Sequence, residues 1–135
     1  MPLPRETLAY FFDHLERQGN IPPEFESWFS EKIGAERKPV VQSLVETPRP
    51  VLDASAGMWI HSSVVDQAHR VRQPIRVIAA RRDLMYNPEF QRQTTLITLP
   101  QATMEVLDCA HFIPCEEPAS LARLIEDFCQ ALPPT

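Results

Sequence analysis

The run Pro74-Ile75-Arg76-Val77-Ile78-Ala79-Ala80 constrains this chain most, because apart from Arg76 it is continuously apolar over the length of a strand. Such a run suits a strand buried on both faces in a parallel sheet rather than one with a wet face. Thr103 to Leu107 reads as a second strand, and the stretch between the two supplies the crossover that parallel neighbours need. There, Asn87 can cap a helix that begins at Pro88, carries Phe90, Thr94 and Ile97 and ends at Pro100. Beyond the second strand, Pro118 starts an amphipathic helix with Leu121, Leu124, Ile125, Phe128 and Leu132 on one stripe. Residues 71–135 thus read as strand, helix, parallel strand, helix, which is half of an α/β layer.

Residues 1–70 read differently, as helices and connections. Pro4 suits a first helical turn, Leu8, Phe11, Phe12 and Leu15 repeat at helical spacing, and Gly19 offers a stop. A second helix is expected after Pro22-Pro23, with Phe25, Trp28, Phe29 and Ile33 on one stripe and Gly34 as its end. Val40, Val41, Leu44 and Val45 mark a third. The stretch from Val51 to Val71 lacks clean alternation at Met58-Trp59-Ile60 and Val64-Val65, which favours one or two further helices. Fourteen prolines against three glycines fit this reading, since most prolines, Pro133-Pro134 among them, punctuate segment borders.

At 135 residues and 44% hydrophobic content, the chain has the size and composition of a globular protein with a core. Its formal charge of -5 and lack of a basic block exclude electrostatic capture of nucleic acid. No apolar run approaches the roughly 20 residues of a membrane span, and Arg5, Glu6, Asp13, Glu16 and Arg17 interrupt any signal-peptide core. A soluble, cytoplasmic protein without a membrane partner is expected. Cys109, Cys115 and Cys129 are odd in number and lack paired zinc spacing, so they read as free thiols. His61 and His69 read as solvated, and the sequence implies neither a metal nor a cofactor.

Asp83 lies three residues after Ala80, and His111 three after Asp108, so both fall in loops at the carboxyl edge of adjacent parallel strands. Open α/β sheets place their sites at that edge. A carboxylate there can hold an imidazole and stabilise the imidazolium formed when the ring takes a proton from a nucleophile. The plainer alternative makes Asp83 a turn cap and His111 a partly exposed loop residue. Arg81-Arg82 is either a solvated pair or an anion contact.

These residues carry a family resemblance. P-I-R-V-I-A-A-R-R-D resembles the penultimate strand and acid loop of the α/β-hydrolase superfamily, and A-T-M-E-V-L-D-C-A-H-F-I-P-C-E-E-P its last strand, histidine loop and the start of its final helix. The resemblance implies that Asp83 is the acid and His111 the general base of a triad. Residues 1–70 are similar, in helicity and position, to the cap that such enzymes insert. Ala80 and Ala110 stand where the family usually has glycine. The fold implied is a partial α/β-hydrolase-like layer, two parallel strands with flanking helices, preceded by a helical cap-like region. The substrate implied is a small ester-like molecule, because a histidine with an aspartate partner suits acyl transfer through a serine.

The serine is the missing part. Family members carry it in G-x-S-x-G on a sharp strand-to-helix turn, ahead of the acid. The nearest stretch here is Asp53-Ala54-Ser55-Ala56-Gly57, which has aspartate for the first glycine. The span from Ser55 to Asp83 is also too short for an elbow helix, a further strand and its crossover. Ser55 therefore reads as a helical serine or cap, with nucleophile as the lesser alternative. The aromatic residues of the first zone read mainly as core; Trp59, together with Phe112 beside the histidine, is a candidate for substrate contact.

Two strands of a larger sheet would leave the inner one with an open edge, which is a template for pairing. A homo-oligomer or a complex with a complementary hydrolase chain is expected, or else a product truncated from a longer enzyme. Two functions follow: the cap and C-terminal part of an esterase-type serine hydrolase, or a non-catalytic remnant serving as a binding or oligomerisation module.

Overall fold

The structure, a computed structural model, describes residues 4–132, so Pro133-Pro134 lie outside the described residues. The chain divides into two compact units, Met1–Ser27 with Gly34–Ser63, and Trp28–Ile33 with Val64–Thr135.

In the first unit, α1 (Arg5–Gln18) buries the expected stripe of Leu8, Phe11, Phe12 and Leu15. It stops at Gly19, whose φ of 66° only glycine adopts freely and whose amide returns to the Leu15 carbonyl at 2.9 Å. The next expected helix does not form as one piece. Pro23–Trp28 and Glu31–Glu36 are 3-10 segments, and Gly34, at φ 48° and ψ -126°, kinks the second. The periodic apolar residues are real, and Phe25 and Ile33 are buried, but the backbone of Trp28 and Ser30 is engaged by tertiary partners instead of a helical ladder. α2 (Arg37–Glu46) and α3 (Arg49–His61) follow. Arg49 at the start of α3 binds Asp13 of α1 at 2.6 Å and Asp53 one turn on at 2.9 Å, with its guanidinium over the Phe12 ring.

In the second unit, a 3-10 turn (Val65–Arg70) leads into β1 (Ile75–Ala80), followed by α4 (Pro88–Gln93), α5 (Thr95–Thr98), β2 (Ala102–Leu107), α6 (Ile113–Glu116) and α7 (Pro118–Gln130). This is the α/β layer expected from the sequence: two parallel strands with flanking helices, after a helical region. β1 and β2 pair from Ile75↔Ala102 to Ala80↔Leu107. Asn87 caps α4 by accepting the Phe90 amide at 3.0 Å. The crossover helix breaks at Thr94, where the hydroxyls of Thr94 and Thr98 bond back to the carbonyls of Phe90 and Thr94. Such back-bonding in a β-branched stretch competes with the helical ladder.

Burial departs from expectation at β1. Ala79 and Ala80 are buried, but Ile75 to Ile78 are only half-buried, because the sheet has two strands among the described residues. The stripe on α7 is likewise incompletely covered, with Ile125 half-exposed. Arg76, the polar interruption in β1, lies over the Phe128 ring at 5.2 Å and reaches the Leu124 carbonyl. No helix among the described residues is long and apolar enough to cross a membrane.

Candidate active site

The two loops after β1 and β2 are tied together before any side chain is considered. The Arg81 amide donates to the Leu107 carbonyl at 2.8 Å, and the Arg82 amide to the Cys109 carbonyl at 3.0 Å. The ladder therefore continues past the strand ends and brings Asp83 and His111 to one place. Close approach of the loops needs small residues, and Ala79, Ala80, Cys109 and Ala110 are all at most 2% exposed. No non-glycine residue has positive φ among the described residues, so Ala80 and Ala110 hold these positions without backbone strain.

His111 Nδ1 and Asp83 Oδ2 are 2.9 Å apart. The other oxygen of Asp83 accepts the Met85 and Tyr86 amides at 2.8 and 3.1 Å, so the carboxylate is locked from both sides. Burial pushes the Asp83 carboxyl up, and the His111 hydrogen bond with the two amides more than offsets it, leaving the group below the usual carboxylate range. The neutral tautomer matching this geometry carries its proton on Nδ1, where Asp83 accepts it. That leaves Nε2 as the basic nitrogen, and it has no hydrogen bond among the described residues.

Three rings stand around the imidazole: Trp28 at 5.4 Å, Phe112 at 5.3 Å edge-on and Tyr86 at 6.3 Å. Phe112 stacks on Phe29 at 4.8 Å. The His111 amide donates to the Trp28 carbonyl at 3.0 Å. Glu116, buried at 6% exposure, accepts the Ala110 amide at 2.8 Å, the Ser30 amide at 3.0 Å and the Ser30 hydroxyl. Arg82 pairs with Glu31 at 3.1 Å, and Lys32 with Glu117. The segment Trp28–Ile33 is thus fastened to the histidine loop at Trp28 and, through Glu116, at Ser30, to the loop after β1 at Glu31, and to Glu117 at Lys32. Its part in the site was not read from the sequence; the acidic pair Glu116-Glu117 after the histidine was the available signal.

The other expected residues are placed as follows. Phe112 adjoins His111. Trp59 stands on α3 in the first unit, 38% exposed. Ser55 is an exposed residue in the interior of α3, so no strand-to-helix elbow presents it. Cys109, Cys115 and Cys129 are free thiols, and burial, with Glu116 and Glu117 nearby, pushes the Cys109 thiol up to about 11. A groove of about 570 Å³ in the second unit is lined by residues such as Val65, Val71, Thr95 and Leu99 and includes neither Asp83 nor His111. Among the described residues no cluster of His, Cys, Asp and Glu could hold a metal.

This arrangement is that of a partial α/β layer with a carboxylate–imidazole pair at its carboxyl edge. The chain shares its fold with a thermophilic esterase from Thermogutta terrifontis solved with malate bound, at a TM-score of 0.64 and 20% identity. The match covers 96% of this chain and 52% of that one, so the chain spans about half the esterase's length. No protein-family model and no curated protein matches the sequence.

Proposed function

We propose that Asp83 and His111 are the acid and general base of an esterase-type serine hydrolase, and that the nucleophile comes from polypeptide outside residues 1–135. The observation that carries this is the 2.9 Å contact between His111 Nδ1 and the doubly anchored Asp83, with Nε2 making no hydrogen bond among the described residues. In the reaction, Nε2 takes the proton of a serine hydroxyl as the oxygen attacks the ester carbonyl. Asp83 stabilises the imidazolium, which then protonates the departing alcohol. A water repeats the cycle on the acyl-enzyme. The half-length match to an esterase supports a partner segment carrying the remaining strands, and the half-buried β1 offers an edge for it. The helices of residues 1–70 serve as the cap, and the substrate is a small ester.

The test compares the purified chain with the chain plus a segment containing G-x-S-x-G. Alone it should neither hydrolyse a p-nitrophenyl ester nor react with a fluorophosphonate probe. Turnover should appear on complementation and vanish with His111→Ala. Labelling of Ser55 in the isolated chain would overturn the claim of an external nucleophile.

One observation favours a second reading. Ser55 lies within a helix and so is not presented on an elbow, while Ile125 and the strand residues Ile75, Val77 and Ile78 keep apolar surface accessible. A non-catalytic binding or oligomerisation module would use that surface. It predicts self-association or partner binding without hydrolysis under any complementation.

A further inference from the structure

Glu116 is a carboxylate that the acid–base chemistry does not use, yet it is as buried as Asp83. Burying such a group is costly unless hydrogen bonds replace its water. Here they do, and their destinations are informative. One oxygen accepts the amide of Ala110, the residue immediately before His111; the two oxygens together accept the amide and hydroxyl of Ser30. The next amide along, that of His111 itself, donates to the Trp28 carbonyl. Two consecutive peptide groups of the histidine loop are therefore fixed to the segment Trp28–Ile33, one directly and one through Glu116. Asp83 can orient the imidazole only if the backbone beneath it is already held.

We infer that Glu116 is a positioning residue for His111, joining Ser30 to the Ala110 amide so that the imidazole meets Asp83 in a single geometry. The inference rests on the acid–base reading above. A carboxylate is suited to this post because it has only acceptors to offer three donors, whereas glutamine must turn an NH2 toward one of them. A change at Glu116 releases the Ala110 amide first, and the backbone beneath the histidine is then held only by the Arg82 amide on the Cys109 carbonyl and by the Trp28 carbonyl on the His111 amide.

The test is nuclear magnetic resonance of the full chain, following the downfield Nδ1–H proton of His111 and the hydrogen exchange of the Ala110 amide. Wild type should show the Nδ1–H resonance, which Asp83→Asn should displace. Glu116→Gln should broaden or abolish it and raise Ala110 exchange at least tenfold. Leu124→Ala, which disturbs α7 packing away from the loop, should lower the melting temperature and leave the resonance in place. Should Glu116→Gln not fold, Glu116→Asp keeps the charge while withdrawing the carboxylate, and should give the same loss. A folded Glu116 variant with an unchanged His111 resonance overturns the inference. Absence of the resonance in wild type instead overturns the Asp83–His111 pairing itself.

Discussion

The carbonyl of Trp28 accepts the amide of His111 at 3.0 Å, and the indole lies 5.4 Å from the imidazole. A residue from the first quarter of the chain is thereby both backbone anchor and side wall for the candidate base. The two roles separate by mutation, since Trp28→Ala removes the ring and keeps the carbonyl. The ring is half-buried, so the loss should be about 2 kcal/mol, less than for a fully enclosed tryptophan. Urea unfolding measures it. A variant as stable as wild type would show that the indole does not pack productively against the loop.

Asp83 should make stability depend on acidity with a definite sign. Its folded carboxyl lies below the usual range, so its contribution is fully present above the unfolded value of about 3.9 and is lost as pH falls through the lowered folded value. Asp83→Asn lacks that contribution at every pH. The stability gap between wild type and variant should therefore be widest near neutrality and should narrow below roughly pH 4. Urea midpoints at matched pH report it, and a gap that widens on acidification contradicts the assignment.

The sequence carried the second unit well because its signals are local. β1 begins and ends where the apolar run does, Asn87 caps as its type and following proline suggest, and Asp83 and His111 meet because a parallel ladder fixes where both loops emerge. The segment Pro23–Glu36 was not legible in the same way. Its apolar period is helical, but whether Ser30 donates to its own turn or to Glu116 depends on a residue far along the chain. α6 leaves no signature in the sequence, because Ile113–Glu116 is too short to show a period. The half-exposure of β1 follows from the number of strands in the sheet, and no property of the strand itself announces it.

The three thiols should separate by reactivity. Cys109 is wholly buried and its thiol is pushed up to about 11, so at pH 7.5 roughly one molecule in a few thousand carries the thiolate. Cys129 is exposed and Cys115 partly so. Iodoacetamide at pH 7.5 should modify Cys129 first, Cys115 more slowly, and Cys109 only after unfolding. Rapid native labelling of Cys109, read by peptide mass spectrometry, would mean that the histidine loop opens.

Gly34 and Gly57 should respond to alanine in opposite directions, although a β-carbon at either would meet nothing within 4 Å. Space is therefore not what distinguishes them; backbone conformation is. Gly34 kinks its segment at φ 48° and ψ -126°, a region closed to side-chain-bearing residues, so Gly34→Ala should cost on the order of 1–3 kcal/mol. The strain falls directly after Ile33, where the strap fastened to the histidine loop ends, so the change should also weaken protection of the Ser30 amide. Gly57 sits inside α3 without positive φ, where alanine reduces the freedom of the unfolded chain. Gly57→Ala should stabilise by about 0.5–1 kcal/mol. Chemical denaturation of the two variants beside wild type measures both signs at once, and destabilisation by Gly57→Ala would mean that α3 is not helical at that position.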